Sequence, residues 1–136
     1  MRALSAVAFT HAPVAMTVAD LGAPGGIEGE RPRAVVINRA FADMLGYTVD
    51  AMLASEDQSR FTYGRDQEVD LEHVQGLLAG GPPVVHWYKR YVHADGHLIW
   101  ARVSASVVRD QRGRPRYVVA QIREISEDAA LEARSA

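Results

Sequence analysis

Hydrophobic and polar positions alternate along residues 87–126, and such alternation is typical of β-strands that bury one face. One set of alternate positions is apolar throughout and is expected to face a core: Ile99, Ala101, Val103, Ala105 and Val107, then Val118, Ala120 and Ile122. The pair Asp95-Gly96 can supply the positive φ of a tight hairpin turn, and a turn rich in Arg, Gly and Pro follows the second strand. Three consecutive antiparallel strands are therefore predicted.

The first half of the chain predicts two strands followed by three helices. Strands are expected at residues 14–21 and 34–37, paired antiparallel, with a Gly- and Pro-rich loop at residues 22–33 that should hold no regular structure. Asn38 and Thr48 are expected to cap the first two helices, and Gly46 to end the first. After an irregular polar segment, residues 56–64, the third helix covers about residues 66–78 and a further strand residues 84–92. Ser126 is expected to cap an outgoing helix.

Composition and charge narrow the class of protein. A chain of 136 residues with 48% hydrophobic and 24% charged residues fits one soluble globular domain. A net charge of -2 argues against a nucleic-acid surface, and no apolar run approaches the ~20 residues of a membrane span. No signal peptide is apparent, and the lack of cysteine excludes disulfides, thiolate metal sites and cysteine nucleophiles. The cytoplasm is the expected compartment.

Several phrases, in order, resemble the PAS sensory family with its C-terminal PAC segment. They are Phe9-Thr-His-Ala-Pro-Val-Ala-Met16, Asn38-Arg-Ala-Phe-Ala-Asp-Met-Leu-Gly-Tyr-Thr48, Lys89-Arg-Tyr-Val-His-Ala-Asp-Gly96, Trp100 and Arg109-Asp-Gln-Arg-Gly-Arg-Pro115. The resemblance implies an α+β fold, a five-stranded antiparallel sheet in the order 2-1-5-4-3 with helices on one face. It divides the chain into a lead-in at residues 1–8, the domain at 9–126 and an outgoing helix at 127–136. The long loop at residues 22–33 departs from the family pattern, as does Tyr88, where a Glu is common.

The resemblance makes flavin and haem the cofactors to consider, and the residues of this chain bear on both. Light-sensing relatives form a flavin adduct through a cysteine, which this chain lacks, so a covalent adduct is excluded. Some relatives bind haem through a histidine on the long helix, where His73 lies. The apolar stripe of that helix centres roughly 110° away from His73 on a helical wheel, and Asp70 takes the inward position instead. We predict neither haem nor non-covalent flavin, and we expect Asp70 to pair with a hydroxyl or an arginine.

The spacing of the histidines does not predict a metal site. His93 and His97 flank the Asp95-Gly96 turn and could approach each other, but the sequence shows no third ligand. Solvated turn histidines and no metal site are therefore expected.

The interior leaves two alternatives open. The small residues Ala101, Ala105 and Ala120 either leave a ligand cavity or are covered by the long side chains of Met16, Met44 and Met52. The residues predicted to contact a ligand, if one binds, are Asn38, Met44, Asp70, Val74, Trp87, Ala105 and Ala120.

The other face of the predicted sheet carries aromatic residues without a basic groove, which favours a protein contact over base stacking. We predict a homodimer or helix-docking face that includes Trp100, Arg102, Tyr117 and Val119, and a signalling junction at Glu124, Ile125 and Ser126.

Together these features predict a non-enzymatic sensory or interaction module of a bacterial signalling regulator. It would respond to a small ligand or a partner and act through the outgoing helix on an effector domain of the kinase, cyclase or phosphatase type. A purely structural dimerisation domain is the alternative. A small-molecule enzyme on an α+β frame is a further alternative, although no enzyme motif is found.

Overall fold

The computed structural model describes residues 12–23, 26–28 and 31–135, so the predictions for residues 1–11 lie outside the described residues. The strands are β1 Ala15–Asp20, β2 Ile27–Glu28, β3 Arg31–Pro32, β4 Ala34–Ile37, β5 Val84–Val92, β6 Leu98–Arg109 and β7 Pro115–Glu124. The α-helices are α1 Arg39–Leu45, α2 Val49–Leu53, α3 Gln67–Leu78 and α4 Glu127–Ser135. Among the described residues, no helix combines the length and the apolar character that crossing a membrane requires.

Five strands form one antiparallel sheet in the order β4-β1-β7-β6-β5, which confirms the predicted order 2-1-5-4-3. The helices α1, α2 and α3 cover one face of the sheet, which we call the inner face. The register of the strands explains why short side chains lie together on this face. Ala105 lies opposite Ala120, and Ala120 lies opposite Thr17 on its other side. Three short side chains thus stand in a row across the middle of the sheet, so the helices above them leave space beneath.

Helix ends follow the local sequence as predicted. The Asn38 side chain accepts a hydrogen bond from Phe41 N, and Thr48 does the same for Ala51 N. Gly46 ends α1 with φ 80°, a left-handed conformation that glycine adopts without steric cost. Asn38 also accepts a bond from Met16 N and donates one to Val14 O, so this buried amide fastens α1 to β1.

Two segments predicted to be irregular contain short regular structure. Within residues 22–33, β2 and β3 form a two-residue ladder in which Ile27 faces Pro32, a position where an edge strand tolerates proline. Within residues 56–64, Gln58–Phe61 forms a 3-10 turn because the Asp57 carboxylate accepts a hydrogen bond from Ser59 N. A second 3-10 turn, Gly64–Asp66, leads into α3.

The outgoing helix α4 folds back onto the outer face of the sheet. Ile125 N donates to Trp100 O, and Ser126 Oγ accepts from Ala129 N at the helix start, which confirms the predicted cap. Ala130 is fully buried, and the Arg134 guanidinium lies 5.0 Å from the centroid of the Trp100 ring.

Candidate ligand cavity

A cavity of about 170 Å³ lies between the inner face of the sheet and the helices. Its floor includes the row of short side chains, Thr17, Ala105 and Ala120, and its roof includes Val74 of α3 and Met52 of α2. Most of its lining is apolar. The volume is close to the roughly 150 Å³ of a buried apolar cavity known to hold benzene, so the space suits one small ring or a compact aliphatic molecule.

One side of the cavity carries a buried group of polar side chains, which we call the polar wall: Asp70, Lys89, Thr62 and Trp87. Lys89 Nζ donates to Asp70 Oδ1 at 2.8 Å and to Thr62 Oγ1 at 2.9 Å. Trp87 Nε1 donates to the same Asp70 oxygen at 2.9 Å. No buried side-chain nitrogen or oxygen within the described ranges lacks a hydrogen-bond partner, so each buried polar atom of the polar wall has at least one.

Burial dominates the electrostatics of the polar wall. It lowers the pKa of Lys89, because a buried ammonium loses its hydration, while the Asp70 carboxylate partly opposes the shift. Burial likewise raises the pKa of Tyr91, which lines the cavity beside Lys89, well above its usual value. The ammonium lies 4.5 Å from the centroid of the Tyr91 ring.

A second cluster joins the start of α3 to the outer face of the sheet, and we call it the edge cluster: Asp66, Arg90, Trp100 and Arg134. The Asp66 carboxylate accepts hydrogen bonds from Arg90 N, Nε and Nη2 at 2.7, 3.0 and 2.8 Å. The Arg90 guanidinium lies 4.7 Å from the Trp100 ring centroid, and Arg134 of α4 contacts the same ring. The edge cluster therefore links the helix above the cavity to the outgoing helix.

The edge cluster predicts a specific loss of stability in acid. Burial alone would raise the pKa of Asp66, but the hydrogen bonds and charge of Arg90 outweigh it, so the pKa lies below its usual value. A carboxyl whose folded pKa is depressed stabilises the fold above its unfolded pKa, and this contribution is lost as pH falls. Between about pH 5 and pH 2, we expect the free energy of unfolding to fall more in the unsubstituted chain (the parent) than in Asp66→Asn. Urea unfolding measures both. Parallel pH profiles for the two proteins would contradict the assignment.

The structure brings five of the seven predicted ligand residues to the cavity. Asp70, Val74, Trp87, Ala105 and Ala120 all line it. The other two lie elsewhere: Asn38 is the buried cap between α1 and β1, and Met44 is half-buried on α1, away from the cavity lining. Ligand binding by the five residues stays a prediction.

Two polar residues beside the cavity, Lys89 and Thr62, were not predicted from the sequence. Asp70 does pair with an arginine, Arg31 at 3.6 Å, but its closer partners Lys89 and Trp87 were not predicted. A signal for Lys89 was present in the period-two pattern of β5. Trp87, Lys89 and Tyr91 occupy alternate positions, so an inward Trp87 requires an inward Lys89.

The four residues predicted to form a contact surface on the outer face, Trp100, Arg102, Tyr117 and Val119, lie in two separate groups. Trp100 and Arg102 lie at the end of the sheet where β7 finishes, and α4 of the same chain covers Trp100 in part. Tyr117 and Val119 lie toward the other end, opposite Val108 and Ser106. The helix-docking alternative is therefore realised within this chain at Trp100, and a dimer contact stays a prediction for the other end.

The cavity does not fit the large cofactors that the resemblance raised. Its volume of about 170 Å³ is below the ~300–1,000 Å³ of typical cofactor and drug-sized pockets. His73 is half-buried and stacks on the Trp87 ring at 5.1 Å, outside the cavity lining.

Comparisons with known proteins place these observations in a family. A family model described as the PAS fold matches residues 34–122. The probable diguanylate cyclase DgcE of Escherichia coli (strain K12) is 33% identical over 119 residues, which cover 87% of this chain and 10% of that protein. The chain thus spans about a tenth of the length of this curated relative.

Solved structures agree with the fold. A Light-Oxygen-Voltage domain studied with a flavin analogue is 20% identical, with a TM-score of 0.74 over 98% of this chain and 93% of that one. An RNA-binding Light-Oxygen-Voltage receptor is 25% identical, with a TM-score of 0.74 over 97% and 36%. A PAS domain from a two-component sensor histidine kinase is 15% identical, with a TM-score of 0.65 over 90% and 94%. With a matching family model over most of its length and the sheet order of that fold, the chain belongs to the PAS family.

Proposed function

We propose that this PAS domain is a sensory module of a signalling protein and that it binds a small molecule in the cavity beneath α3. The observation that carries the proposal is a cavity of about 170 Å³ whose apolar lining meets a polar wall. An apolar pocket with a few convergent polar groups is the usual form of a ligand site. In this proposal the domain performs no catalysis, and a cyclase-type effector elsewhere in the parent protein, as in the curated relative, receives the signal.

The polar wall limits the chemistry of the ligand. Lys89 has three N–H donors, and its hydrogen bonds to Asp70 and Thr62 use two of them. The remaining donor supports a ligand with one acceptor group, such as a carbonyl, hydroxyl or carboxylate, on an apolar body of about one ring. A positively charged ligand is disfavoured, because Lys89 and the nearby Arg31 would repel it.

The route of the signal in this proposal runs through the edge cluster. A ligand beside Asp70 and Val74 would shift α3, whose N-cap residue is Asp66. Asp66 holds Arg90, Arg90 contacts Trp100, and Trp100 contacts Arg134 on α4. The junction Glu124, Ile125 and Ser126 supports the same route, because Ile125 N is bonded to Trp100 O directly before α4.

A direct test extracts the ligand. The purified chain is denatured, and the supernatant is searched by mass spectrometry for a released small molecule, while melting temperatures are recorded across a metabolite library. We expect a released compound or a library compound of about one ring that raises the melting temperature. A chain that releases nothing and responds to no compound would favour the structural alternative.

We expect Trp100→Ala to loosen α4 without unfolding the domain. The variant removes the ring that Arg134 and Arg90 contact. A loss of about 1–2 kcal/mol of local stability corresponds to roughly 5- to 30-fold faster hydrogen exchange, read at the amides of Ala130–Ser135. Arg102→Ala, on the same strand and face, serves as the matched control. Equal exchange rates in the two variants would show that the edge cluster does not hold α4 and is not part of the proposed signal route.

We also propose that the outer face pairs with a second copy of the chain at the end away from α4. Val36, Val18, Val119 and Val84 lie in one row across this face, interrupted only by Ser106 between the last two. Val84 is 46% exposed, as is Val108 one row further on. Val18, Val36 and Val119 are half-buried, and a row of β-branched residues left partly open on a sheet face is a surface that protein contacts usually cover.

Val119→Arg is the variant that tests the dimer, because it places a charge in the middle of the valine row. We expect the parent to sediment as a dimer and the variant as a monomer. Gln121→Arg, one row along on the same strand and face, should leave the dimer largely intact. A monomeric parent, or a variant with the parent's mass, would contradict the proposal.

A further inference from the structure

The turn between β5 and β6 gathers two imidazoles and a carboxylate that the cavity and the edge cluster do not use. His93 Nδ1 lies 3.2 Å from Asp95 Oδ1, and His97 Nδ1 lies 2.5 Å from the same oxygen. The donor atoms of the three residues all lie within 4.8 Å of one another. Asp95, which the turn places between the two histidines, is therefore the candidate third ligand that the histidine spacing did not reveal.

The backbone of the turn holds these three residues in place. His93 N donates to His97 O and Gly96 N to His93 O, each at 2.8 Å, and Gly96 adopts φ 96° to close the loop. Ala94 N donates to Leu45 O at the end of α1, which anchors the turn to the body of the domain. The two imidazole rings lie 4.4 Å apart, between centroids, with 23° between their planes. The three side chains thus extend from an accessible loop whose backbone is held by hydrogen bonds.

We propose that this turn is a binding site for a divalent transition-metal ion, with Zn²⁺ as the fitting ion. Two imidazole nitrogens and a carboxylate oxygen form a ligand set that zinc takes, with a fourth position left to water. Donors about 2.0–2.1 Å from a tetrahedral zinc lie roughly 3.3 Å apart. The distance between His93 Nδ1 and Asp95 Oδ1 already matches this value.

Metal binding requires two local adjustments, each of which replaces one hydrogen bond of the turn. The shorter contact between His97 and Asp95 is a hydrogen bond of 2.5 Å, and an ion in its place would increase the distance between the two atoms by ~0.8 Å. His97 would then carry its proton on Nε2 and leave Nδ1 free to bind. The ion would also replace the bond that Asp95 N donates to His93 Nδ1. Both exposed groups, Asp95 and His97, can move without disturbing the core.

The test is a calorimetric titration of the untagged chain with ZnCl₂ in a chelator-free buffer. We expect one ion per chain, and we expect His97→Gln and Asp95→Asn each to weaken binding at least tenfold. Asparagine preserves the turn, because its side-chain carbonyl can accept from His97 N as Asp95 does. The matched control is His86→Gln, whose imidazole bonds to Ser104 Oγ on the outer face and should not matter.

Melting curves in EDTA identify any variant that is destabilised without metal, and His93→Gln then provides a third independent ligand variant. Tight uptake by the parent that is lost in the ligand variants and retained in His86→Gln would support the site. The proposal is overturned by a parent that takes up no zinc, or by ligand variants that bind zinc as the parent does. Equal losses in His86→Gln and His97→Gln would also overturn it.

Discussion

Replacing Asp70 by alanine is expected to lower the free energy of unfolding by about 3–5 kcal/mol, the usual result of leaving a buried charge without its partner. Asp70 accepts hydrogen bonds from both Lys89 Nζ and Trp87 Nε1, and both donors are buried. Without the carboxylate, the Lys89 ammonium retains Thr62 as its hydrogen-bond acceptor but has no counter-charge at hydrogen-bond distance. Urea unfolding monitored by tryptophan fluorescence measures the loss.

Two further variants separate the ion pair from general effects of substitution. Asp43→Ala removes an exposed carboxylate that pairs with Arg39 across one helical turn, and it should cost less than about 0.5 kcal/mol. The double variant Asp70→Leu/Lys89→Met replaces the pair by apolar groups and should recover much of the lost stability. An Asp70→Ala protein within about 1 kcal/mol of the parent would show that Lys89 is not the buried, charged partner described above.

Replacing Ala105 by leucine is expected to abolish ligand responses while leaving the domain folded. Ala105 is 2% exposed and lies on the cavity floor, so the added carbons enter the cavity. Because the space of about 170 Å³ is larger than three carbon atoms, the new side chain fits with little overpacking. We expect compounds that raise the melting temperature of the parent to bind the variant at least tenfold more weakly, a difference of about 1.4 kcal/mol.

Ala51→Leu is the matched control, since Ala51 is exposed on α2 and the same atoms are added to the surface. It should preserve every ligand response of the parent. If Ala105→Leu responds to the same compounds with the same affinity, the ligand site lies somewhere other than the cavity.

The sequence predicted the sheet well because period-two alternation reports directly which side chains share a face. The residues Ile99, Ala101, Val103 and Ala105 are buried as predicted, and the caps Asn38, Thr48 and Ser126 occupy the predicted helix starts. These features depend on residues close together in the chain. Local chemistry therefore sufficed for the strands, the helix ends and the sheet's two faces.

The polar wall depended on contacts between distant residues, which alternation does not reveal. Asp70 and Lys89 are 19 positions apart, and their pairing requires α3 to cross over β5. A lysine in a strand is usually exposed, so its inward position could be inferred only from its neighbours Trp87 and Tyr91. For the same reason the fold of the turn, rather than the spacing of its histidines, brought Asp95 between His93 and His97.

The alternatives of a filled or an open interior could not be separated from the sequence, because they depend on where the methionines reach. Met52 is buried and lines the cavity. Met16 pairs with Gln121 on the outer face, and Met44 lies on α1 away from the cavity. Two of the three methionines that could have covered the small residues are thus directed elsewhere, and the space remains.

The chain contains two tryptophans, and they provide the most direct measurement of whether ligands enter the cavity. The Trp87 indole N–H bonds to Asp70 at the cavity wall, whereas the Trp100 ring lies on the outer face between Arg90 and Arg134. Each gives one indole signal in a ¹H–¹⁵N NMR spectrum, assigned through Trp87→Phe and Trp100→Phe. Library compounds of about one ring that raise the melting temperature should shift the Trp87 signal directly, and Ala105→Leu should abolish that shift. Binding compounds that move only the Trp100 signal, or that still move Trp87 in Ala105→Leu, would contradict a ligand site in the cavity.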